Sequence, residues 1–212
     1  MDQQASSGGD WEFVLAMFVR PRRTIDAIVD GERYGWVVGL AAIAGIVDAL
    51  TQASGRQADL ELAMTTMMVV TVIGGVLGGV VMLYVSGWLT AITGRWLGGT
   101  ASVEELRAAF AWGRVPLLMV GVIYLVKFCL LGNRALTDVV TLHVAPGLMW
   151  TIAALDLSAG IFAIWSIVTT LAAVSAVQRF SAAKAVANLL LAGLVVGVAL
   201  LVVIWVVAVI RQ

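Results

Sequence analysis

Asp48, Lys127 and Asp156 are the acidic and basic residues that interrupt the long apolar runs of this chain. A charged side chain at the centre of a bilayer costs about 2.5–3.5 kcal/mol on insertion scales, so each should face a bundle interior and hold a partner. Two acids and one base suit a buried cluster, with Lys127 charged between two carboxylates or with one carboxylate protonated. Such a cluster either joins helices or relays protons or ions. The competing reading has Lys127 snorkelling to outer headgroups while Asp156 caps polar backbone.

Other chemistry-bearing side chains do not assemble. Cys129 is alone, which excludes an intrachain disulfide, and its place in an apolar run suggests a small buried residue. His143 has only Asp138 near it, so a surface histidine is expected and no metal site. Asp26, Asp30 and Glu32 are interleaved with Arg22, Arg23 and Arg33, as in a self-neutralising solvated face. No nucleophile motif, phosphate loop or paired acid and base appears, so neither catalysis nor a cofactor is expected.

The composition says what must position these groups. At 61% hydrophobic and 12% charged residues, the chain lies far from the soluble range of about 45–50% apolar and about 25% charged. An all-α polytopic membrane bundle follows. Zero formal charge gives no global field for nucleic acid. Eleven arginines against two lysines in an Ala/Val/Gly-rich chain point to a prokaryotic cytoplasmic membrane. The acidic, polar start offers no cleavable signal peptide.

Residues 1–9 read as a disordered tail and 10–33 as two interfacial helices, one capped by Asp10, the other capped by Thr24 and ended by Gly31. Five spans then fit about 34–53, 64–92, 116–131, 148–177 and 185–210, in one membrane domain over 34–212. Arg20, Arg22, Arg23, Arg33, Arg95, Arg107, Arg114, Arg179 and Lys184 share one side, against Arg56, Arg134 and Arg211 on the other. The positive-inside rule therefore puts the N-terminus in the cytoplasm and the C-terminus outside. On that topology Asp48, Lys127 and Asp156 all fall in the outer third of the membrane.

Between the second and third spans, a Gly-Gly turn precedes Ser102 and Glu105, which have capping-box spacing, and a surface helix over 103–112 follows. This helix and the N-terminal segment form a candidate lipid- or partner-facing surface. Trp11, Phe18, Trp96, Phe110 and Trp112 would anchor it, while Arg20, Arg22, Arg23, Arg95 and Arg107 attract anionic headgroups or serve only as topogenic charges. Gly35/Gly39, Gly74/Gly78, Gly75/Gly79 and Gly193/Gly197 have the spacing that lets helix backbones approach. They suit packing within one subunit or a homodimer seam.

The passages F-V-R-P-R-R-T, T-G-R-W-L-G-G-T-A-S-V-E-E-L-R-A-A-F-A-W-G-R-V-P and W-S-I-V-T-T-L-A-A-V-S-A-V-Q-R-F-S-A-A-K-A, in this order, resemble the Yip family of Ypt/Rab-interacting-type membrane proteins. The most specific part runs through Gly98, Gly99, Gly113 and Pro116. The resemblance implies five spans with a cytoplasmic N-terminus and a scaffold or trafficking-like role. Eukaryotic relatives are implicated in Rab binding, but the D-L-Y-G-P type motif is missing here and that role does not carry over. The alternative is a small proton- or ion-coupled transporter using Asp48, Lys127 and Asp156.

Overall fold

The computed structural model describes residues 10–53, 64–132 and 145–211. Helices fill nearly all of them: α1 (Asp10–Val19), α2 (Pro21–Asp30), α3 (Val37–Ala53), α4 (Met64–Trp96), α5 (Val103–Gly113), α6 (Leu117–Leu131), α7 (Pro146–Val177) and α8 (Ala182–Ile210). Four helical stretches are long and apolar enough to cross a membrane: Met68–Trp96, Val103–Leu131, Pro146–Val177 and Ala182–Ile210. The first expected span, α3, is a shorter apolar helix of 17 residues. Arg56, Arg134, Asp138 and His143 lie outside the described residues.

The expected third span begins earlier than its hydropathy suggests. Val103–Leu131 is one apolar stretch, in which α5 and α6 meet through a tight turn at Arg114, Val115 and Pro116. The capping box is present: Glu105 N–H donates to Ser102 Oγ at 3.2 Å, and Ser102 N–H donates to Glu105 Oε2 at 2.6 Å. However, α5 is not a surface helix. Leu106, Ala108, Ala109, Ala111, Trp112 and Gly113 are buried, because the alanines let α5 press against α3, α4 and α7 together. Gly113 marks the closest approach, since a Cβ there would lie 2.6 Å from Thr170 Cα.

The α2 start is also corrected. Pro21 occupies the first turn, where its fixed φ and missing N–H cost nothing, so it opens α2 instead of delaying it. Thr24 is inside the helix, and its hydroxyl donates to Arg20 O at 2.9 Å. At the other end Gly31 is followed by Glu32 with φ +50°. Arg33 N–H reaches Ile28 O and Glu32 N–H reaches Val29 O, the paired bonds of a Schellman cap.

The same cap ends α4 around Gly98 (φ +85°) and α7 around Arg179 (φ +55°). These turns gather at one end of the bundle, with the N-termini of α3, α5 and α8. Because it carries Arg20, Arg23, Arg33, Arg95, Arg179 and Lys184, it is called the basic end below.

Two core clusters sit at different levels. The larger, near the basic end, joins Met17, Ile25 and Ile28 to Leu106, Trp112 and Val174. The smaller joins Ala44 and Val47 of α3 to Leu117, Val120 and Tyr124 of α6.

The α3–α4 crossing is made by glycine, but not by the whole G-G-V-L-G-G block. A Cβ on Gly75 would lie 2.7 Å from Ile46 Cα, and one on Gly79 would lie 2.8 Å from Gly45 Cα. Gly74 and Gly78 have open space, as do Gly35, Gly193 and Gly197, while Gly39 meets only a Trp36 ring carbon at 4.0 Å. The α3 partner is therefore Gly45 with Ala41 one turn earlier, and Gly35/Gly39, which have the same kind of spacing, take no part. Cys129, expected to be buried, is exposed on α6.

Candidate functional site

The polar residues inside the bundle resolve into two ion pairs and a hydrogen-bonded latch. Lys127 Nζ donates to Asp156 Oδ1 at 2.7 Å, with only 5% of its side chain exposed, and it lies 5.2 Å from the Tyr124 ring centroid. Snorkelling is thus not its arrangement. Asp48 belongs to a different pair: Arg114 Nη2 donates to Asp48 Oδ2. The expected three-residue cluster is divided because Arg114, assigned by sequence to a polar connection, stands at the α5–α6 turn within the bundle.

Along α6, the apolar Leu117, Val120 and Tyr124 lie between the two pairs in sequence and pack with Ala44 and Val47. A proton relay needs a continuous chain of hydrogen-bonding groups. This layer supplies side chains that cannot form one, apart from the Tyr124 hydroxyl.

The Arg114–Asp48 pair borders a cavity of about 640 Å³ between α3, α4, α5 and α7. Its walls include Gly45, Gly74, Gly78, Met82, Phe110 and Ile167, and neither Lys127 nor Asp156 reaches it.

The latch lies at the basic end and was missed by sequence reasoning. Gln178 Nε2 and Asn188 Nδ2 both donate to Thr90 O at 3.2 Å, and Thr93 Oγ1 donates to Asn188 Oδ1 at 2.5 Å. Ala101 N–H reaches Gln178 Oε1 at 3.4 Å. All four polar residues are buried. Together they tie the end of α4 and the Gly-Gly turn to the α7–α8 corner. An Asn at the fourth residue of the last apolar run was the available signal, because buried amides across membrane helices need partners.

The candidate lipid- or partner-facing residues divide in two. Trp11, Trp96, Arg20, Arg23 and Arg95 are exposed. Arg22 is also exposed, but its Nη2 donates to Phe180 O at 3.3 Å, so it docks α2 on the α7–α8 corner. Phe18 is half-buried, edge-on to Phe162, and its carbonyl accepts from Trp165 Nε1 at 3.2 Å.

Trp112 does not face lipid at all: it is 2% exposed and edge-on to Phe13 in the core. Phe110 lines the cavity, and the Arg107 guanidinium stacks 4.1 Å from the Tyr84 ring centroid. The aromatic residues of α5 are enclosed because α1, α2, α3, α4 and α7 all pack on it.

A family model of the Yip1 domain matches residues 15–204, nearly the whole chain. The chain belongs to the Yip1 domain family. Membership implies a membrane-associated role of the trafficking type, in a family of membrane proteins not known as enzymes. No curated protein and no solved structure matches the chain.

At the basic end of this Yip1 domain, the Asp26 carboxyl titrates above its ordinary 3.8, because burial disfavours the charge and Asp30 adds to that, against the pull of Arg22 and Arg179. The folded state then holds the proton more tightly than the unfolded chain. Its stabilising contribution is complete below the unfolded value and is lost as pH rises through the raised one. Thermal unfolding in detergent should therefore show the parent losing more stability than Asp26→Asn as pH climbs from about 4. Identical slopes would mean that Asp26 has no role in pH dependence.

Proposed function

We propose that this chain is a non-enzymatic membrane scaffold of the trafficking type, whose basic end faces the cytoplasm and engages anionic lipid headgroups. The observation that carries this reading is the outward stripe of α1. Trp11, Leu15 and Val19, spaced at one helical turn, are 63%, 60% and 77% exposed, although Phe13, Met17 and Phe18 on the other faces pack inward. Arg20 and Arg23 follow the stripe directly. A Trp-bearing apolar stripe next to exposed arginine suits the headgroup boundary.

On this reading α3, about 26 Å long, completes five crossings and the C-terminus lies outside a prokaryotic cytoplasmic membrane. The arginine imbalance of the connections supports that orientation even with Arg114 moved into the bundle. The apolar layer between the two ion pairs favours a scaffold over a conduit.

Hydrogen exchange of the full chain in bilayer discs tests the headgroup contact. Protection of residues 10–30 should increase when anionic lipid is included, and Arg20→Gln/Arg23→Gln should remove that increase. Equal protection in neutral and anionic discs would refute the electrostatic contact.

A further inference from the structure

The cavity beside the Arg114–Asp48 pair is built from polar groups held at one depth. Asp48, Arg114 and Ser166 each lie eleven residues from the basic end of their helical stretches (Val37, Val103 and Val177), and Ser86 lies ten from Trp96. At 1.5 Å per residue, four side chains from four stretches stand on a single level about 16 Å below the helix ends. All four line the cavity.

Two of them lack partners. Helical serines and threonines ordinarily bond back to a carbonyl one turn earlier, as Ser158, Thr170 and Ser175 do here. The hydroxyls of Ser86 and Ser166 form no hydrogen bond with any described residue, although Ser166 is 5% exposed and its carbonyl accepts from Thr169 and Thr170. The ion pair is also incomplete. Arg114 uses Nη2 alone and Asp48 uses Oδ2 alone, which leaves guanidinium donors and a carboxylate oxygen over.

What fills the cavity must satisfy these groups and a wall that, apart from Gln52 and Thr170, is apolar. Met82 and Ile167 line it while being 58% and 61% exposed, so its mouth lies toward the bilayer. The volume falls within the range of about 300–1,000 Å³ typical of small-molecule sites. A net-neutral ion pair offers no net attraction to an anion, and bringing a phosphate to this depth adds a desolvation penalty that hydroxyl and ester groups largely escape.

We infer that the cavity binds a neutral, hydroxyl-bearing glyceride of the diacylglycerol type that enters laterally from the bilayer. Its ester carbonyls accept from Arg114 and Ser166, and its hydroxyl donates to the open Asp48 oxygen. Its acyl chain runs along Gly74 and Gly78, where the missing side chains leave the groove. This site is separate from the headgroup contact of α1, and either stands if the other fails.

Photolabelling tests it, using the full chain in phosphatidylcholine discs and a diacylglycerol with a diazirine in one acyl chain. The label should map to α4 and α7 around the cavity and be displaced by unlabelled diacylglycerol. Ser166→Ala should reduce labelling about fivefold, the equivalent of one ordinary hydrogen bond. Gly78→Leu fills open space without meeting a neighbour and should abolish labelling while thermal unfolding stays unchanged. Gly197→Leu, also in open space and eight residues along α8 from the cavity-lining Leu189, should label as the parent does. Label spread evenly over the outward helix faces, persistence in Gly78→Leu, or stronger displacement by phosphatidic acid with the same acyl chains would each overturn the inference.

Discussion

Gly45→Val should destabilise the protein by about 3 kcal/mol or more, the upper end of what overpacking usually costs, while Gly74→Ala, inside α4 and in open space, should leave it as stable or up to about 1 kcal/mol more stable. A Cβ on Gly45 would meet Gly79 Cα at 2.6 Å and Gly79 N at 2.8 Å. Those are backbone atoms of a facing helix, so no rotamer change relieves the contact and α3 must separate from α4. Gly79 should behave in the same way, because its Cβ would strike Gly45 Cα at 2.8 Å. Separation also exposes the cluster of Ala44 and Val47 with Val120, which extends the damage to α6. Thermal unfolding and size-exclusion chromatography in detergent provide the comparison. Equal loss at Gly45 and Gly74 would show that α3 does not pack as described.

The contrast between Gly74 and Gly75 shows where sequence stops being informative. Both belong to G-x-x-x-G pairs one residue apart, so spacing alone favours neither. In a soluble helix the polar face would decide which side packs inward. Here α4 is apolar nearly all round, and lipid accepts either face. The all-α bundle of long apolar helices, the capping box and the need of Lys127 for a carboxylate were legible because each follows from local chemistry or from the cost of burying charge. Gly45 was not, because its importance comes from the helix it meets.

Arg114 and Trp112 were hidden for a related reason. Arginine two residues before proline looks like a loop, and Trp beside Phe in a short helix looks like an interface anchor. Both readings assume that α5 has a wet side, whereas its alanine-rich surface is enclosed by α3, α4 and α7. Glu32 and Arg179 were illegible as helix caps, since non-glycine residues seldom take positive φ.

The division of the intramembrane charges into two pairs can be measured directly by double-mutant cycles. Arg114→Met leaves Asp48 facing the cavity without its cation. Asp48→Asn in the same chain removes the orphan, so the 48–114 cycle should show coupling of about 1–3 kcal/mol. Lys127→Met with Asp156→Asn should give coupling of similar size, strengthened by the deeper burial of Lys127.

The 48–127 cycle is the decisive one. The two residues belong to different ion pairs, and coupling should fall within about 0.5 kcal/mol of zero. Each pair then fastens its own helices, α3 to the α5–α6 turn and α6 to α7, as a static scaffold requires. Coupling above about 1 kcal/mol between 48 and 127 would mean that charge at one level is felt at the other. That result would reinstate the three-residue cluster and with it the case for a relay.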